Sequence, residues 1–175
     1  MRTLSRRDPL ARAVGLARHG PRAVVDATGG LCRDAMTLAH LGCPVTAIER
    51  VPVLALAGAL AVRAAGLADR LTLVVADAVA WLRALPATAR PPVVYLDPMF
   101  EATPRAQVKK EMQVCRALCG PPDDGGALFA AARAAATERV VVKRHGELGN
   151  LGGEPSFAAT GPRVRFDVYL ATPPA

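Results

Sequence analysis

Short apolar runs that end at an acid recur along the first hundred residues, and each is followed by a helical pattern. Ala23-Val24-Val25-Asp26 is the first and Val45 to Glu49 the second. Leu71 to Val75 is the third, just before Asp77, and Val93 to Leu96 is the fourth, followed at once by Asp97. Continuous aliphatic runs of this length are the pattern of strands buried on both faces, as in a parallel sheet. Between them the spacing switches to the helical period. Arg33 to Leu41 is helical and stops at Gly42, Pro52 to about Ala65 starts with proline at a tolerated first-turn position, and a third helix covers about Val79 to Leu85. Farther on, Gln107 to Leu118 and Leu128 to Ala136 read as helices around the turn-rich segment Pro121-Pro122-Asp123-Asp124-Gly125-Gly126. Arg139 to Val142 reads as a fifth strand capped by Lys143-Arg144. Gly146 to Gly161 is glycine-rich and predicts a mobile loop, and Val164 to Leu170 alternates as a half-buried or edge strand does. Before the first strand, Pro9 to Arg18 predicts one short amphipathic helix. The basic stretch Met1 to Arg22, with Asp8 its only acid, also has the composition of a transit peptide.

Alternating strands and helices predict an α/β fold over residues 1–175, a single domain with a mostly parallel sheet, right-handed crossovers and flanking helices. Such sheets bind ligands at the carboxyl ends of their strands. Asp26, Glu49, Asp77 and Asp97 all fall there. Any one of them is explained as a helix cap or a solvated loop residue. Four at equivalent places point to a shared ligand site.

Composition narrows the classes. Hydrophobic residues are 51% and charged residues 21% of the 175 residues, a globular balance. No apolar run reaches the roughly 18 residues of a membrane span, so the expectation is a cytoplasmic protein with no membrane partner. The formal net charge is +7 and the pI 9.9, which suits a polyanion such as RNA; abundant arginine and alanine also accompany a GC-rich genome. Cys32, Cys43, Cys115 and Cys119 form no CxxC pair and have no histidine at metal spacing. The expectation is reduced, mostly buried thiols and no metal. His19, His40 and His145 show no catalytic pairing, and Trp81 fits the core better than a stacking platform.

The first candidate site is Asp26-Ala27-Thr28-Gly29-Gly30, where Gly29 allows close approach of the backbone to a ligand. It is not GxGxxG and no phosphate-loop lysine follows, which disfavours a pyrophosphate cofactor. S-adenosylmethionine presents an amino acid, a ribose and an adenine instead. Glu49 is placed to accept from two ribose hydroxyls, although an acid at this position also serves NAD enzymes. Asp77 is placed to receive the adenine amino group. Arg33-Asp34 open a helix whose N-terminus favours the methionine carboxylate, with Arg33 adding charge; both also fit as ordinary first-turn residues.

The second candidate is Asp97-Pro98-Met99-Phe100. A carboxylate and the Pro98 carbonyl can both accept from an amine, while Phe100 stacks on the base that carries it. Catalysis is then by positioning and electrostatics, with no strong base needed before attack. A lone DPxF is usually a turn; at a fourth strand end it is a stronger signal. With its surroundings, the sequence resembles the RsmJ family, bacterial 16S ribosomal RNA guanine-N2 methyltransferases. The matching stretches are VVDATGGLCRDAMTLAHLGCPVTAIER (24–50), VVYLDPMF (93–100), VKKEM (108–112), RVVVKR (139–144) and RFDVYLATP (165–173). The resemblance implies a Rossmann-like class I S-adenosylmethionine-dependent methyltransferase with a seven-stranded-type sheet. It implies cofactor contacts at Arg33-Asp34, Glu49-Arg50, Asp77-Ala78 and Asp97; Arg50 and Ala78 come from the resemblance alone. The chain departs from the family at Cys32, where glycine is usual, at Glu101 to Arg105, where a basic Pro-His-rich stretch is usual, and at Asp77-Ala78, where small polar residues are common. By the same resemblance, an extension before Pro9 is expected in the family and expected to be missing here.

The implied partner is 16S rRNA or the 30S subunit. Lys109-Lys110 and Lys143-Arg144, with Arg105, Arg163 and Arg165, are expected to hold phosphates near the target base, although each alone also fits a solvated surface charge. The base must be exposed or extruded to bring its amine to Asp97. Two other enzyme readings use the same fold class: an N6-adenine or N4-cytosine methyltransferase on RNA or DNA, and a dehydrogenase, the latter disfavoured by the absent dinucleotide fingerprint. A catalytically inactive RNA-binding module is the remaining alternative.

Overall fold

A computed structural model describes residues 5–98, 125–145, 148–162 and 164–171. Seven strands form one sheet. They are β1 Val24–Asp26, β2 Val45–Glu49, β3 Leu71–Val75, β4 Val93–Leu96, β5 Arg139–His145, β6 Phe157–Thr160 and β7 Val164–Leu170. Their spatial order is β3-β2-β1-β4-β5-β7-β6, parallel from β3 to β5, with β7 antiparallel to both its neighbours. The described helices are α1 Pro9–Ala13, α2 Leu16–His19, α3 Arg33–His40, α4 Pro52–Ala64, α5 Ala78–Arg83 and α6 Gly126–Ala135.

The central strands are buried because most of their residues are apolar on both faces. Val93, Val94, Tyr95 and Leu96 of β4 are all fully buried. Alternate residues feed two cores. Tyr95 and Val141 join Leu38 of α3 and Val62 of α4 on one face, with Leu10 and Leu16 of the first two helices. Val94, Leu96 and Val142 join Leu82 of α5 and Ala132 of α6 on the other, where Trp81 packs partly buried. The chain therefore reverses its winding between β1 and β4. That reversal opens a crevice at their carboxyl ends, where ligands of such sheets sit.

The structure corrects four local expectations. Pro9 to Arg18 is not one helix: it breaks at Val14-Gly15, where Gly15 takes φ +83° and starts α2. A Cβ there would lie 2.9 Å from the guanidinium carbon of Arg139, so the chain bends over a buried arginine that donates to the Ala13 carbonyl. The expected loop from Gly146 to Gly161 contains β6. Its sequence, Phe-Ala-Ala-Thr, is mostly exposed and too rich in small residues to show a strand period. Consequently Val164 to Leu170 is not an edge strand. It is paired along both sides, and Phe166 to Tyr169 are buried. Strand β5 also runs three residues past Val142, through His145. The expected helix Gln107 to Leu118, with Cys115 and Cys119, lies outside the described residues. Cys32 and Cys43 are buried free thiols. Among the described residues no helix is long and apolar enough to cross a membrane.

Candidate active site

At the end of β1 the chain must turn sharply under β4, and Thr28 makes the connection. The Asp26 carboxylate accepts the Thr28 backbone N–H at 3.0 Å and its hydroxyl at 3.1 Å. The same hydroxyl oxygen accepts the Asp97 backbone N–H at 2.7 Å, stitching the β1 loop to the end of β4. Gly29 then passes so close to β2 that a Cβ would sit 3.0 Å from the Ile48 carbonyl oxygen, which accepts the Gly29 N–H. The close approach expected of Gly29 is thus made to the protein's own backbone. Glu49, only 7% exposed, accepts Gly30 N–H at 2.7 Å on one oxygen and Val51 N–H at 2.8 Å on the other. A carboxylate has about four lone-pair sites, so each oxygen of this oriented group can still take a hydroxyl donor.

Across the crevice stands a second cluster. The Tyr95 hydroxyl donates to Asp34 Oδ2 at 2.5 Å, and Lys143 Nζ donates to the same oxygen at 2.7 Å and to Asp97 Oδ2 at 2.8 Å. The Asp97 side chain is 40% exposed, against 24% for Lys143 and 25% for Asp34. Asp97 is thus fixed from behind and open in front. Desolvation pushes Asp26 up to about 7, with Thr28 pulling it down and Asp34 and Asp97 adding to the rise. Desolvation also raises Asp97, and Lys143 opposes it. Burial alone lowers the Lys143 ammonium, but Asp97 and Asp34 together outweigh that and hold it above the usual lysine range.

Asp26, Asp34 and Asp97, with Glu49 beside the same loop, thus share the strand ends. Tyr95 and Thr28 escaped the sequence reading. Tyr95 carried one signal, a phenol in a strand with no room for water, which must find a partner inside. Arg33 and Arg50 are exposed on the rim. Asp77 stands one strand beyond Glu49 and caps α5, accepting the Ala80 N–H at 2.8 Å; Ala78 opens that helix. Among the cations expected on RNA, Lys143 points into the carboxylate cluster instead of outward. Arg144 is 6% exposed on the opposite sheet face, where it donates to the Gly149 carbonyl. Neither presents a free surface charge. Met99, Phe100, Lys109 and Lys110 lie outside the described residues. Among the described residues no group of three His, Cys, Asp or Glu side chains could hold a metal.

The donor set distinguishes between cofactors. Two carboxylates on one ammonium, with Asp26 beside them, would repel a pyrophosphate lying at the end of β1. They suit a ligand that carries two positive charges and one negative, as S-adenosylmethionine does. A family model described as "Putative SAM-dependent methyltransferase" matches residues 2–171. The chain belongs to this family. S-adenosylmethionine is accordingly its cofactor and methyl transfer its chemistry. Its relatives include ribosomal RNA small subunit methyltransferase J of Thioalkalivibrio sulfidiphilus, 48% identical over 174 residues that cover 94% of this chain and 68% of that protein. The protein of the same name from Laribacter hongkongensis is 48% identical over 178 residues, covering 95% and 62%. The chain thus spans about two thirds of the length of these relatives. Among solved structures, a SAM-dependent methyltransferase from Neisseria gonorrhoeae superposes with a TM-score of 0.75 at 35% identity, over 95% of this chain and 67% of that one. An RNA methyltransferase from Salinibacter ruber in complex with S-adenosyl-L-homocysteine shares the fold, with a TM-score of 0.61 at 16% identity over 95% of this chain and 91% of that one.

Proposed function

We propose that the chain methylates the exocyclic N2 of a guanine in 16S ribosomal RNA. The observation that carries this reading is Asp97 at the strand end beside the cofactor loop, its carboxylate held by Lys143 and its backbone N–H by the Thr28 hydroxyl, with the side chain 40% exposed. The names of the relatives direct it to ribosomal RNA of the small subunit.

Glu49 would hold the ribose hydroxyls, and the excess of carboxylates at Asp26, Asp34 and Asp97 would favour the cationic end of the cofactor. Asp77 and Ala78 would border the adenine, with Arg33 and Arg50 on the rim. Bound there, S-adenosylmethionine supplies an electrophilic methyl group. The chain's own part is to hold the acceptor. The free oxygen of Asp97 accepts one N–H of the target amine and the Pro98 carbonyl accepts the other. This turns the nitrogen lone pair along the transfer axis. Phe100 stacks on the base. No strong base is required before attack, because the proton is lost only once the nitrogen is cationic, and Asp97 is beside it to receive that proton. Lys109 and Lys110 would hold flanking phosphates.

The test is transfer of labelled methyl to 30S subunits and to naked 16S RNA, followed by nucleoside analysis. The expected product is N2-methylguanosine. N6-methyladenosine or N4-methylcytidine would replace this reading with its amino-methylating alternative, and cofactor binding without any transfer would favour an inactive RNA-binding module.

A further inference from the structure

Among the described residues the candidate site contains one half-buried cation, Lys143, and the expected contact with RNA does not account for its placement. Lys143 leaves β5 and crosses to β4 and α3. Two of its three donors are committed, to Asp34 Oδ2 at 2.7 Å and Asp97 Oδ2 at 2.8 Å. Its side chain is only 24% exposed. A lysine that serves a phosphate from the surface keeps its head in water; this one spends it between two carboxylates.

We propose that Lys143 is a positioning residue for methyl transfer, whose ammonium keeps the Asp97 carboxylate anionic and turns its free oxygen toward the target amine. The proposal rests on reading Asp97 as the acceptor of that amine. Its geometric basis is that Asp97 is held at two points, its N–H on the Thr28 hydroxyl and its Oδ2 on Lys143. Among the described residues its Oδ1 makes no hydrogen bond. With both constraints in place, a single oxygen is left to meet a substrate.

The electrostatic basis lies in the surroundings. Asp26 faces the site from β1, Asp34 from α3 and Tyr95 from β4, and Lys143 is the cation that meets Asp97 from β5. Without the ammonium, desolvation and the neighbouring Asp34 both favour a protonated Asp97. A protonated carboxyl offers a donor to an amine that needs acceptors. Asp34 in turn keeps Lys143 in place, and the buried Tyr95 hydroxyl keeps Asp34 in place. The chain Tyr95–Asp34–Lys143–Asp97 therefore joins the first helix after the cofactor loop to the residue that meets the base.

Two variants of the full chain test this, Lys143→Met and Lys143→Arg, with wild type beside them. Methyl transfer to 30S subunits is followed from pH 6 to 10. Carboxyl-carbon NMR follows the Asp97 titration in the free protein. Lys143→Met is expected to lose kcat at pH 7, by about tenfold where the Asp97 pKa comes to lie about one unit above the assay pH. It should regain rate as pH rises, with KM for the subunit little changed and the Asp97 titration moved upward. Lys143→Arg should keep the pH profile and lose part of kcat, because a planar fork does not reproduce the ammonium's two contacts. The proposal is overturned if Lys143→Met keeps wild-type kcat and instead raises KM with a weaker salt dependence, the signature of a lost phosphate contact. It is equally overturned if the Asp97 titration does not move. Should Lys143→Met fail to fold, Lys143→Arg decides, since a phosphate contact predicts unchanged kcat. The NMR comparison needs no RNA, so it stands even if the wild type proves to methylate another base.

Discussion

Replacing Asp26 with asparagine should make the protein more stable as pH rises, while weakening its grip on the cofactor. Asp26 is 2% exposed at the end of β1, and desolvation raises its pKa from 3.8 to about 7. Between these values the folded chain holds a proton that the unfolded chain has released. Stability therefore falls with pH across that window and levels above about 7. From pH 5 to pH 7 is two pH units, so the wild type loses about 3 kcal/mol through this group at about 1.4 kcal/mol per unit. Asparagine keeps an oxygen for the Thr28 N–H and hydroxyl but does not titrate. The difference between variant and wild type should thus move by about 3 kcal/mol in the variant's favour between pH 5 and pH 8. For a domain of this size that is roughly 5–10 °C in Tm. Thermal melts at the two pH values, variant against wild type, cancel every other titrating group. A difference independent of pH would refute the reasoning, because it would mean that Asp26 has the same proton affinity folded and unfolded. The functional counterpart is that a cationic ligand favours ionised Asp26. Wild-type affinity for S-adenosylmethionine should rise from pH 6 to pH 8 by calorimetry, and that rise should vanish in Asp26→Asn.

Other consequences are as direct. Asp97→Ala should cut methyl transfer by about two to three orders of magnitude, the scale of losing a preorganised electrostatic contact, with circular dichroism unchanged; transfer within a few fold of wild type would reject the proposed role. Glu49→Gln should weaken cofactor binding about tenfold or more, because charge-assisted bonds to the ribose become neutral ones worth about half as much; unchanged affinity would place the ribose elsewhere. Gly58→Ala should destabilise by roughly 1–3 kcal/mol, since its Cβ would meet Cys32 Sγ at 2.9 Å and Leu73 Cδ1 at 3.1 Å. Adding Cys32→Gly should return part of that loss in denaturant titrations, by removing the sulfur and relieving a left-handed residue at φ +56°. Strict additivity of the two changes would show that the contact does not matter.

Much of the sheet was legible because a parallel strand buried on both faces announces itself as an uninterrupted apolar run. β2 and β4 fall where such runs fall; β3 does too, although as an edge strand it buries only Leu71. β6 was not legible: Phe157 to Thr160 is an exposed edge of small residues, and it is a strand only because β7 offers it a ladder. Gly15 as a helix break was equally hidden, because the reason for it is a buried arginine more than a hundred residues away. In the site, the acids at the strand ends could be found from position alone. Thr28 and Tyr95 could not, because a hydroxyl next to a glycine turn and a phenol in an apolar strand look like ordinary structural residues until their partners are known.

The sequence by itself determined the line of acids along the strand ends, because these depend on local runs and on spacing within single strand–turn–helix units, while the family and its cofactor came from the resemblance of its motifs. It left open what each charge does. Lys143 and Arg144 are neighbours in one strand and read alike, but a strand alternates its side chains, so one enters the carboxylate cluster and the other is buried on the opposite face. Only the tertiary structure decided this. The pairing of Lys143 with Asp34 and Asp97 joins residues 109 and 46 positions apart, and no local pattern encodes a contact between groups that meet only when β4, β5 and α3 close on one another.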